Sequence, residues 1–210
     1  MWKRGAKSIC QSPSRLNEDL PFPLKIRKQK SPDQYPNATP TLLLPSPALR
    51  FVGSALLDGY VRAGKRDVAV KLAAELLADA RQQLPSDHPL LAGTLASVGL
   101  SLLTVEAFAE AEPLLRESLT IREKSQPDAW TTFNTQSMLG GALLGLQKYA
   151  EAEPLLLAGY DGMIRQKDSI PEPGNSRIPE ALDRLIEFYN ATDKPDDVEK
   201  WQTERSARRP

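Results

Sequence analysis

The heptapeptide Ala109-Glu110-Ala111-Glu112-Pro113-Leu114-Leu115 returns as Ala150-Glu151-Ala152-Glu153-Pro154-Leu155-Leu156, an offset of 41 residues. The same offset pairs Thr94 with Thr135, Gly99 with Gly140, Leu102 with Leu143, Leu103 with Leu144 and Phe108 with Tyr149. A period of this length is the signature of stacking: one short unit cannot bury its apolar face alone and covers it with the next copy. The expected fold class is therefore all-α, because the repeating unit reads as two helices and a turn. In the first copy Leu95, Val98, Leu102 and Val105 make one apolar stripe at spacings of three and four, and Phe108, Ala111, Leu115 and Leu119 make a second. In the next copy the stripes are Leu139, Leu143 and Leu146, then Tyr149, Ala152 and Leu156. The turns fall near Glu106 and near Gln147 and Lys148.

Weaker copies flank this pair. Leu56, Tyr60 and Ala69 keep the spacing around Ala63-Gly64-Lys65-Arg66-Asp67, and Leu185, Tyr189 and Val198 keep it around Thr192-Asp193-Lys194-Pro195-Asp196. About four helix pairs result, with an irregular loop at Ile170-Pro171-Glu172-Pro173-Gly174-Asn175 and a charged cap at Trp201-Gln202-Thr203-Glu204-Arg205. Gly99 and Gly140 sit mid-helix, where glycine costs about 1 kcal/mol against alanine, so a neighbouring helix is expected to approach them closely. Pro113 and Pro154 lie inside the second helix of each copy; their recurrence predicts a bend or a tightened first turn and not a break. No stretch alternates as a strand would.

Residues 1–47 differ in texture. They hold eight of the eighteen prolines and eight basic against three acidic residues, net +5, which leaves the remaining 163 residues at −5. Frequent proline without an apolar period predicts a disordered basic tail, or an upstream extension of the reading frame; the helical repeat domain is expected over 48–210. The run Lys25-Ile26-Arg27-Lys28-Gln29-Lys30 reads as part of a solvated tail. No apolar core of a secretory leader follows Met1-Trp2-Lys3-Arg4, and no segment approaches the roughly 18 apolar residues of a membrane helix. The default compartment is cytoplasmic.

Charge and rare residues remove much chemistry. With 27 basic and 27 acidic residues there is no net field to steer the chain to nucleic acid or a membrane surface. One cysteine, Cys10, and one histidine, His88, exclude an internal disulfide, cysteine-rich zinc sites and nearly all histidine-based catalytic sets. Asp87-His88-Pro89 reads as a helix start with Asp87 near the cap. Glu110/Glu112 and Glu151/Glu153 are two apart on a helix, so they do not face each other as glycosidase carboxylates would; they read as a solvated face. Gly64-Lys65 and Gly140-Gly141 lack the pattern of a phosphate loop. Trp130, Phe133 and Trp201 read as packing residues. No catalytic residue, metal site or cofactor is expected.

The small residues Gly99 and Gly140, Leu102 and Leu143 three later, Phe108 and Tyr149 opening the second helix, and Ala111 and Ala152 three beyond resemble the tetratricopeptide repeat. The unit length, Pro85-Ser86-Asp87-His88-Pro89 and the Glu-Ala-Glu-Pro-Leu-Leu run are similar to the kinesin-light-chain-like subtype. The run from Leu84 to Gly162 also resembles the C-terminal repeat region of planctomycete-type bacterial serine/threonine kinases. Two departures stand out: Gln136 occupies the bulky position held by Leu95 in the preceding copy, and the proline that closes the second helix is absent. The resemblance implies a right-handed α-α superhelix whose first helices line a concave wall: Asp58 and Arg62; Ala96, Ser97 and Leu100; Asn134, Ser137 and Gly141; Asp183, Arg184 and Glu187. It implies a non-catalytic module whose partner-binding residues are Asp58, Arg62, Asn134, Ser137, Asp183, Arg184 and Glu187, holding a peptide or partner helix. The alternative it implies is a regulatory repeat segment detached from such a kinase. The central copies offer only Asn134 among the residues that clamp a terminal carboxylate, so that mode is disfavoured.

Overall fold

The structure, a computed structural model, describes residues 46–208, with side chains from Gly53 onward. The segment expected to form the basic tail lies, up to residue 45, outside the described residues. Eight α-helices follow one another: α1 Ser46–Arg62, α2 Arg66–Gln83, α3 Pro89–Thr104, α4 Phe108–Ser125, α5 Trp130–Gly145, α6 Tyr149–Arg165, α7 Arg177–Ala191 and α8 Pro195–Ala207. Two 3-10 turns, Lys167–Ser169 and Glu172–Gly174, occupy the irregular loop before α7. No strand occurs among the described residues.

The four hairpins are closed by the same device. Gly64, Glu106, Gln147 and Asp193 all have positive φ, between 52° and 64°. The next N–H in each turn donates back across the helix end: Lys65 to the Tyr60 carbonyl, Ala107 to Leu102, Lys148 to Leu143 and Lys194 to Tyr189, at 2.8 to 3.0 Å. This is a Schellman closure, in which one left-handed residue lets the chain reverse while the last carbonyls stay bonded. Only the first hairpin uses glycine there. Left-handed backbone costs a side-chain-bearing residue about 1 kcal/mol, so Gln147→Gly is expected to stabilise the fold by about 0.5 to 1 kcal/mol. A urea midpoint no higher than the parent's would contradict this.

Stacking follows from the stripes. Leu95, Leu102, Leu115, Leu139, Leu143, Leu156, Leu182 and Leu185 are at most 2% exposed, in one continuous core from Leu57 to Trp201. The first helices α1, α3, α5 and α7 touch in succession, while consecutive second helices approach less. The stack therefore curves with α1, α3, α5 and α7 on its inner side. Gly99 and Gly140 are where close approach was expected: a Cβ at Gly99 would stand 2.7 Å from a Leu115 methyl, and one at Gly140 would stand 2.6 Å from Leu156 Cγ. Pro113 and Pro154 lie inside continuous helices α4 and α6. The carbonyls they leave without a helical donor belong to Ala109 and Ala150, both exposed, so water can satisfy them.

At the start of α3 the cap is His88 itself and not Asp87. Its Nδ1 accepts the Leu90 N–H at 3.1 Å, with Pro89 opening the helix behind it. Asp87 instead lines a separate surface cavity with Glu117 and Lys124.

The duplicated glutamates are not merely a solvated face. Glu112 accepts from Lys148 of the next hairpin at 2.8 Å, and Glu153 from Lys194 at 3.1 Å. Glu151 in turn pairs with Arg116 of the hairpin before it at 2.7 Å, and Glu110 with Arg66 at 3.8 Å. The Lys148 ammonium holds the Glu112 carboxyl below its ordinary range. Exposed pairs contribute little singly; here each joins one hairpin to its neighbour.

At the far end Trp201 is 6% exposed and meets Tyr160 edge-on at 5.3 Å, closing the core. Tyr160 donates to Glu204 at 2.7 Å, and burial together with that carboxylate pushes its phenol up to about 12. Trp130 packs at the would-be Cβ of Gly174, and Phe133 lies against Gly162. Both aromatics are thus packing residues.

Candidate functional site

The inner wall carries two cavities. The larger, about 450 Å³, lies between the C-terminal halves of α3 and α5 and the face of α7. Its apolar side is Leu100, Leu103 and Phe108; its polar side is Arg177, Glu180, Arg184 and Glu187. Where α5 borders it, Gly141 and Gly145 let side chains of the neighbouring helices come down onto the helix backbone. A Cβ at Gly145 would stand 2.4 Å from the Phe108 ring, and one at Gly141 would stand 3.0 Å from Arg184 Cδ. Two glycines one helical turn apart thus form the floor, and the neighbours lean over them.

Arg184 is the chief charged group there. Its side chain is 14% exposed, contacts Glu180 at 3.6 Å and donates to Ser137 Oγ on α5 at 3.2 Å. Burial pulls its guanidinium below the ordinary value, and Glu180 opposes this only in part. Glu180 is also held by Arg177 at 2.8 Å.

The smaller cavity, about 280 Å³, lies between α1 and α3. Leu57, Leu76, Leu90 and Val98 give it an apolar lining, Ser54, Ser97 and Ser101 hydroxyls, and Asp58 its one charged group.

The seven residues expected on the wall are distributed unevenly. Asp58 and Arg62 are exposed on α1 and Glu187 is exposed on α7. Arg184 lines the larger cavity, its stem over Gly141. Asp183 is exposed but engaged by Arg205 of α8, at 2.7 and 3.2 Å. Ser137 is fully buried beneath Arg184, and Asn134 is 9% exposed with its Oδ1 unpaired. Of the other wall positions, Ser97 is exposed, Leu100 and Gly141 are half-buried, and Ala96 is 6% exposed. Gly145 and Phe108 were not foreseen as wall residues; the four-residue spacing of Gly141 and Gly145 was the available signal.

Among the described residues, no group of three or more His, Cys, Asp or Glu is placed to hold a metal ion, and no helix is long and apolar enough to cross a membrane.

Comparison with known proteins agrees with this geometry. The tetratricopeptide repeat family pattern matches residues 91–125, which span α3 and α4. No curated protein matches the chain. Among solved structures, the nearly identical TPR-like repeats of a Podosopora anserina protein named for kinesin light chain superpose with a TM-score of 0.62 at 20% identity. That match covers 78% of this chain and 75% of the other. BtubC (BKLC) from P. vanneervenii gives a TM-score of 0.61 at 19% identity, over 78% of this chain and 63% of its own. The fold is thus a TPR-like helical solenoid of the kind found in kinesin light chain repeats. The planctomycete kinase resemblance finds no counterpart in these matches.

Proposed function

We propose that the chain is a non-catalytic protein-interaction module that holds an extended peptide or a partner helix along the inner wall. TPR repeats generally serve as protein–protein interaction scaffolds. The observation that carries the reading is the concave cavity of about 450 Å³ on α3, α5 and α7, where an apolar side of Leu100, Leu103 and Phe108 faces a charged side from α7. Arg184 and Glu187 are the contact residues at this cavity, and Asp58 and Arg62 those of the α1 end of the same wall. Asp183 joins them where a partner displaces Arg205; Ser137 and Asn134 act from beneath, by positioning Arg184 and the α5 wall. Nothing in the structure favours the kinase-segment reading over this one.

The test is Gly141→Leu. A leucine side chain there occupies the cavity, while the backbone stays in an ordinary helix and the crowded neighbour is the flexible stem of Arg184. Peptides captured by the parent from a random library are expected to bind this variant about tenfold more weakly or worse, with an unchanged helical spectrum. Equal binding would refute the groove.

A further inference from the structure

We infer that the α1–α3 end of the groove is a receptor for a basic side chain of the partner, a lysine or arginine, with Asp58 as its counter-charge. This rests on the groove reading above and specifies the chemistry of one end of it.

The cavity combines a greasy interior with a single charge. Leu57, Leu76 and Val98 are between 2% and 4% exposed and present their methyls at its base. Leu90 is 61% exposed, the largest exposure of any bulky apolar residue described, and it stands on the same lining. An exposed leucine beside an apolar hollow is surface available to a partner. Asp58 lines that hollow and, among the described residues, receives a single long bond, 3.4 Å, from Ser101 Oγ. Among the described residues, no cationic side chain is on the lining.

This arrangement discriminates among occupants. A purely aliphatic side chain would cover Leu90 and strip water from Asp58 without compensating the carboxylate, which is costly. An acidic side chain would add like-charge repulsion. A lysine or arginine satisfies both requirements at once: its methylene stem lies along leucine and valine while its head meets the carboxylate. The serine hydroxyls of Ser97 and Ser101 supply further acceptors on the same lining. The larger cavity differs in carrying both signs, Arg177 and Arg184 among Glu106, Glu180 and Glu187, with Arg184 already paired to Glu180.

The experiment pans phage-displayed random twelve-residue peptides against the full chain, then measures the selected peptides on Asp58→Asn and Asp58→Lys. Asp58 is exposed, so neither variant is expected to disturb the fold, and circular dichroism verifies this. The selected peptides are expected to share one lysine or arginine position, to lose about tenfold in affinity on Asp58→Asn, and to give way to peptides acidic at that position when Asp58→Lys is panned. Peptides that bind in the groove, as judged by their loss on Gly141→Leu, yet share no basic position or ignore Asp58→Asn, would overturn this inference and leave the groove standing. A library that yields no binder would overturn both.

Discussion

Gly159→Ala is expected to destabilise the fold by about 2 to 3 kcal/mol, although alanine is the better helix former by about 1 kcal/mol. At Gly159 the α6 backbone lies directly on α5: a Cβ would stand 2.6 Å from the Ser137 nitrogen, 2.7 Å from the Phe133 oxygen and 2.9 Å from Ser137 Cα. These are main-chain atoms, which no rotamer change can move aside, so the two helices must part and the packing around fully buried Met163 and Leu156 loosens with them. Gly59 provides the internal control. It lies in α1 with nothing within 4 Å of its would-be Cβ. Gly59→Ala is therefore expected to raise stability by about 0.5 to 1 kcal/mol on helix propensity alone. Urea unfolding of both variants reads the sign; a Gly159→Ala protein as stable as the parent would show that α5 and α6 are not in backbone contact.

Phe188→Ala is expected to cost about 3 to 5 kcal/mol, through lost burial and the cavity left behind. Phe188 is 1% exposed and meets Tyr149 of the third hairpin edge-on at 6.2 Å, with Tyr189 at 5.2 Å on its own helix. It is thus a bolt between the last two hairpins. In a stacked repeat the stability is a sum of unit and neighbour-interface contributions, so damage at one interface falls first on the unit it joins. Amide exchange is expected to accelerate across α7 and α8 while α3 and α4 keep their protection. Uniform acceleration across all eight helices would contradict a stack of separable units.

The hairpins, their turns and the close approach at Gly99 and Gly140 were legible in the sequence because each is a local consequence of a repeated pattern: the period places the stripes, and glycine where a helix would prefer alanine marks a contact. Gly159 and Gly145 were not, because a glycine's meaning depends on what opposes it, here Phe133, Ser137 and Phe108 from other helices. The glutamates of the duplicated motif show the same limit. Glu112 finds Lys148 only once two hairpins lie side by side, and along the chain the pair is 36 residues apart. Mapping wall residues copy by copy placed Ser137 on the wall, but it missed the arginine of the fourth hairpin leaning across the third and covering it. His88 was read correctly as part of a helix start, yet which of two adjacent side chains caps is decided by rotamer and not by sequence.

The stacking itself is most directly tested by nuclear Overhauser contacts in the intact chain. If the hairpins pack as described, the Phe108 ring protons of the second hairpin contact the Gly145 α-protons of the third, and the Tyr149 ring of the third contacts the Phe188 ring of the fourth. A helical spectrum in which both contacts are missing would mean that the helices form without stacking, and the groove between them would not exist.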